Sequence, residues 1–179
     1  MRAPVLLRLA LVVVLVVAVQ AAVIVNLRLA AAHPEIIWLL PMSAALLGGA
    51  EYGALVGFVA GLALDCTLAT PFGLSAFVGV LLGYGLGQIA ERSGLAADGG
   101  VWWLVPVLGF VSCLIAVLAY AVFGIVLGED QFSGVNYAAI TVVVSLGGAL
   151  FALPIWWLTG WALGSRRGAH HAVNREVSW

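Results

Sequence analysis

Apolar stretches of bilayer-crossing length recur along almost the whole chain, and few charges interrupt them. A hydrocarbon core about 30 Å thick takes roughly 20 apolar residues in helical form, at about 1.5 Å of rise each. With 64% hydrophobic and 8% charged residues, such a chain cannot hide its apolar surface in a water-soluble core. The pattern predicts an all-α integral membrane protein with six transmembrane helices, at residues 5–27, 36–50, 53–68, 72–89, 101–127 and 138–163. These form one domain, 1–163, followed by a polar tail, 164–179. The first run outlasts the h-region of a cleaved signal peptide, so it is expected to be retained. His33-Pro34-Glu35 and Glu51-Tyr52-Gly53 supply the breaks on either side of the second helix. A re-entrant pair formed by the second and third helices is the alternative there. Pro41, Pro106 and Pro154 are expected to kink their helices.

Six spans place both termini on one side. Arg2, Arg8, Arg92, Arg166, Arg167 and Arg175 then share that side, and only Arg28 lies opposite. Positive charge accumulates on cytoplasmic flanks, so both termini are expected in the cytoplasm. Trp102, Trp103, Trp156, Trp157 and Trp161 fall at helix ends assigned to the same interface, the level amphipathic rings prefer. Arg166 and Arg167 are suited to anionic lipid headgroups.

The third and fourth helices carry the densest pattern. Gly53, Gly57 and Gly61 recur every fourth residue, Asp65 continues the register, and Gly79, Gly83 and Gly87 repeat the spacing after the break. Residues four apart share a helix face, and small ones let two backbones approach closely in lipid. The six glycines are therefore expected to pack helices together, either within the monomer or against a partner chain or a second copy. Asp65, Pro71 and Gly73 mark a polar hairpin turn, with Pro71 presetting it and Gly73 permitting close backbone approach. A carboxylate in an apolar run is costly unless satisfied. Asp65 is expected to accept hydrogen bonds from Thr67, Thr70 or the amides around Phe72-Gly73-Leu74, or else to face a partner, a ligand or a proton path. Glu91 and Asp98 read as loop charges.

The order GALVGFVAGLALD, a short break, then PFGLSAFVGVLLGYGLGQ resembles the central signature of the rod shape-determining protein MreD family. The resemblance rests on Gly57, Gly61, Asp65, Pro71, Gly73, Gly83 and Gly87 and covers about a fifth of the chain; Glu51-Tyr52 and the Arg/His tail depart from the family pattern. It implies a non-enzymatic component of the bacterial cell-elongation complex in the cytoplasmic membrane. Implied partners are MreC and, around it, MreB, RodA and a class B penicillin-binding transpeptidase. It also implies a fold like the S component of energy-coupling-factor transporters, which makes substrate binding for a vitamin transporter the rival function.

Other chemistry finds little footing in the residues. The net charge of −1 is uninformative, and nucleic acid is not an expected partner because no basic surface is suggested. Cys66 and Cys113 lie in apolar runs without ligand spacing, and His170-His171 stands alone in the tail. No nucleophile–base pair can be assembled, so no catalytic, cofactor or metal residues are expected.

Overall fold

The computed structural model describes residues 3–22, 35–67, 72–94, 101–126 and 137–164. Six α-helices make up nearly all of them: α1 (Ala3–Ala22), α2 (Leu39–Gly48), α3 (Ala50–Asp65), α4 (Leu74–Arg92), α5 (Val105–Val126) and α6 (Tyr137–Leu163). Short 3-10 turns precede α2 (Ile36–Trp38) and α5 (Val101–Trp103), and the described residues contain no strand. Four helices, α1, α4, α5 and α6, are long and apolar enough to cross a membrane. The chain is therefore an all-helical, multi-pass membrane protein. Arg28, Asp98, residues 127–136 and residues 165–179, with His170 and His171, lie outside the described residues.

The shortest helix sits at the centre. Every residue of 36–45 is buried, because α2 packs against α3, α4, α5 and α6 at once. An apolar helix without a polar face has to be enclosed in this way or surrounded by lipid. With its 3-10 turn, α2 rises only about 21 Å, less than the hydrocarbon thickness.

A single residue, Gly49, separates α2 from α3, where a turn at 51–53 was expected. Its amide donates to the Ala45 carbonyl at 2.9 Å, and its own carbonyl accepts from Gly53 at 3.0 Å. Both ladders thus share it. Gly49 takes φ 89° and ψ −176°, a region almost restricted to glycine. The chain reverses there without a loop, so Glu51, Tyr52 and Gly53 fall inside α3. α2 and α3 run antiparallel, with Pro41 opposite Gly57 and Ala45 opposite Gly53.

The prolines divide. Pro154 lies within α6, but Pro106 is the second residue of α5 and Pro41 the third of α2. A first turn has no intrahelical partner for its amides, so proline costs little at Pro106. Pro41 follows directly on the 3-10 turn, where the ladder changes from one helix type to the other.

α5 and α6 form a second close pair, with Gly109 against Gly148 and Ala152, and Gly148 against the Cys113 sulfur. α1 is the outlying helix and packs chiefly on α6. Near its start the Arg8 guanidinium lies 5.5 Å from the Trp161 ring centroid. Trp102, Trp103, Trp157 and Trp161 are exposed, and Trp156 is half-buried.

Gly49→Ala should lower stability by about 1–3 kcal/mol, the usual range for a residue held in a disfavoured backbone region. Gly85 is helical and a Cβ there would meet nothing within 4 Å, so Gly85→Ala should be neutral or slightly stabilising. Thermal unfolding in detergent, followed by circular dichroism, compares the two.

Candidate functional site

Backbone contact defines the α3–α4 hairpin. A Cβ placed on Gly53 would come within 3.0 Å of the Gly83 carbonyl oxygen, and one on Gly57 equally close to that of Gly79. The same holds for Gly61 against the Ser75 carbonyl and for Gly87 against the Ala50 Cα. The clashes are reciprocal: Gly79 and Gly83 would strike the carbonyls of Gly57 and Gly53. All six glycines of the two ladders therefore lie on one intramolecular seam. Any side chain there would force the backbones apart and forfeit the dispersion contacts along the seam. On its other flank the α3 ladder meets Pro41 and Ala45 of α2, so α3 is gripped from two sides.

The two ends of the hairpin are closed by carboxylates. Asp65, the last residue of α3, is buried. Its Oδ2 accepts from the amides of Gly73 at 2.9 Å and Ala76 at 3.2 Å, and its Oδ1 from that of Ser75 at 3.0 Å. These are the amides a helix start leaves without intrahelical partners, and its partial positive charge favours a carboxylate. Thr67 turns elsewhere, donating from its hydroxyl to the Leu64 carbonyl at 2.8 Å. Thr70 and Pro71 lie outside the described residues.

Gly73 has a different role from the one its position suggested. A Cβ on it would meet nothing within 4 Å, but its φ is +100°. Its requirement is the left-handed conformation of the residue before α4, not close approach.

At the opposite end Glu91 is no loop charge. It lies in the last turn of α4, and its Oε1 accepts from the Ala50 amide at 2.8 Å. Each helix of the hairpin thus carries, near its C-terminal end, the carboxylate that caps the start of the other. The sequence hides Glu91's role because its partner lies 41 positions away and the α3 start was placed three residues late.

Asp65 also heads a chain of polar contacts through the bundle. The Ser75 hydroxyl meets the Tyr120 hydroxyl at 2.6 Å. The Tyr120 ring packs edge-on against Trp38, with centroids 6.2 Å apart. Trp38 donates its indole N–H to the Glu35 carboxylate, and its carbonyl accepts from Ser112 at 3.1 Å. The buried Gln20 side chain accepts from the Ile36 amide at 3.0 Å. Sequence reasoning missed Glu35, Gln20 and Tyr120. Glu35 carries a legible signal in its place just before an apolar run, where a helix start favours an acidic side chain.

Chemically, this arrangement joins helices. Among the described residues no three His, Cys, Asp or Glu side chains are grouped to hold a metal ion. Comparison with protein-family models, curated proteins and solved structures finds no match.

Gly57→Ala and Gly79→Ala should each destabilise by about 1–3 kcal/mol or more, as overpacking against backbone does. Asp65→Ala would leave three amides unpaired, at about 1–3 kcal/mol for each group that stays buried. Both effects are read from unfolding midpoints in mixed micelles, with Gly85→Ala as reference.

Proposed function

We propose that this chain is a non-enzymatic scaffold of the bacterial cell-elongation complex, resembling the MreD family and binding MreC in the cytoplasmic membrane. RodA, a class B penicillin-binding transpeptidase and MreB are its wider partners. The observation that carries the reading is the α3–α4 hairpin, closed by backbone contact along its length and by a carboxylate at each end. Such a seam makes a stiff platform, and its outer face presents Leu55, Phe58 and Val59 as an apolar stripe. That stripe suits an apolar helix from MreC.

Asp65, Ser75, Tyr120, Glu35 and Gln20 are engaged with one another, with Trp38 or with helix starts, which favours a structural role over a reactive one; the buried Ser43 and Ser145 hydroxyls have no hydrogen-bond partner. Six spans with cytoplasmic termini complete the proposal. Arg8 and Arg92 fall at the end of the bundle that carries the exposed tryptophans, in keeping with the positive-inside rule.

Co-expression with MreC of the same organism and purification in mild detergent should yield a stoichiometric complex. Leu55→Ala with Phe58→Ala should weaken that complex at least tenfold while the isolated protein keeps its unfolding midpoint. An unchanged complex would remove the stripe from the mechanism. Failure to form any complex, with a small molecule or a coupling ATPase module co-purifying instead, would favour the substrate-binding subunit of an energy-coupling-factor vitamin transporter.

A further inference from the structure

The outward face of α4 carries polar groups that lipid tails cannot satisfy. Phe77, Leu81, Tyr84 and Gln88 follow one another at spacings of three and four, so they lie on one face of the helix. At one end of this face Phe77 is tied to Phe123 of α5. Beyond it the face is open: Leu81 is 51% and Tyr84 50% exposed, and Gln88 is half-buried.

Elsewhere in the spanning helices Ser75, Ser112 and Thr159 are buried and bonded within the bundle. Tyr84 and Gln88 have only each other. The Gln88 Nε2 lies 3.5 Å from the Tyr84 hydroxyl, at the long limit of a hydrogen bond. Among the described residues neither side chain has another hydrogen-bond partner. The Gln88 carbonyl oxygen, its second N–H and the Tyr84 hydroxyl proton are thus left over.

Depth makes these groups costly. α4 is long and apolar enough to cross a membrane. At about 1.5 Å per residue, Tyr84 lies roughly 15 Å from Leu74 and roughly 12 Å from Arg92, in the middle of the span, and Gln88 lies about one turn nearer Arg92. No water is available to such groups within the hydrocarbon, whereas a polar side chain on a neighbouring helix can bond to them.

Symmetry selects the neighbour. Two copies of one membrane protein related by a two-fold axis along the membrane normal present the same residues at the same depth. A carboxamide both donates and accepts, as does a phenol hydroxyl, so each is its own complement. We propose that a second copy of this chain packs on this face of α4, with Gln88 and Tyr84 hydrogen-bonding across the two-fold axis and Leu81 filling the contact beside them. The pairing belongs to the chain by itself and is independent of any binding to MreC.

The full chain, carrying an N-terminal fluorescent tag, is reconstituted with phosphatidylethanolamine and phosphatidylglycerol at falling protein-to-lipid ratios, and dimers are counted by single-molecule photobleaching. Gln88→Leu with Tyr84→Phe keeps the bulk of both side chains and removes their new bonds. It should raise the dissociation constant about tenfold or more, because the symmetry removes each bond twice, while the unfolding midpoint in micelles stays unchanged. On a Cys66→Ser background, with Cys113 buried, Leu81→Cys should cross-link between copies on mild oxidation. Leu150→Cys, on an exposed part of α6, should not. Dimers that ignore the double substitution, or that cross-link only through Leu150→Cys, would overturn the proposal in favour of another face. Monomers at every dilution would also overturn it. Reaction of Leu81→Cys with a lipid-soluble maleimide would then point to cover by lipid, and protection from it to cover by another segment of the same chain.

Discussion

The fold depends on the contact of two helix backbones without side chains between them. Lipid tails are as apolar as leucine, so helices in a bilayer gain little from hiding apolar surface from one another. What remains is dispersion at short range and the satisfaction of polar groups. Gly53, Gly57 and Gly61 bring α3 onto the carbonyls of α4, and the same face receives Pro41 and Ala45 from α2. The central placement of α2 follows. Once α3 and α4 are drawn together, the remaining groove beside the seam takes the short apolar helix α2.

Polar groups then fix the register that glycines alone would leave loose. A smooth seam can slide by one turn with small loss, because the ladder repeats every fourth residue. Asp65 and Glu91 prevent this, since a shift of one turn would carry each carboxylate about 5 Å from the amides it caps. The Ser75–Tyr120 contact and the Phe77–Phe123 ring pair, 5.4 Å between centroids, extend the same control to α5.

Much of this was readable in the residues. Hydropathy placed the helices, and four-residue spacing picked out the faces that meet. Less legible were features that depend on partners distant in the chain. Glu91 looks like a loop charge until the start of α3 is known, and that start was obscured because Gly48 and Gly49 sit in an apolar run while Glu51 and Tyr52 look like a turn. The requirement at Gly73 is a backbone angle, and composition cannot distinguish that need from close packing. Gln20 reaches the Ile36 amide, 16 positions away, at the start of the central helix, an encounter no local pattern encodes. Pro106 falls at the second residue of α5, where its missing amide would not have been used, a position the hydropathy pattern alone does not reveal.

The clasp between Arg8 and Trp161 has a consequence for synthesis. Among the described helices α1 precedes the others in the chain, yet its principal neighbour is α6, which follows them. Until α6 is made, α1 has only its lesser contacts with α3 and the 3-10 turn before α2 to hold it. The hairpins α3–α4 and α5–α6 join segments adjacent in sequence and can close as soon as their second members enter the bilayer. The Arg8–Trp161 contact can therefore form only after both hairpins have had time to close, and a chain truncated before Trp161 would keep its zipped centre while losing that tie between α1 and α6.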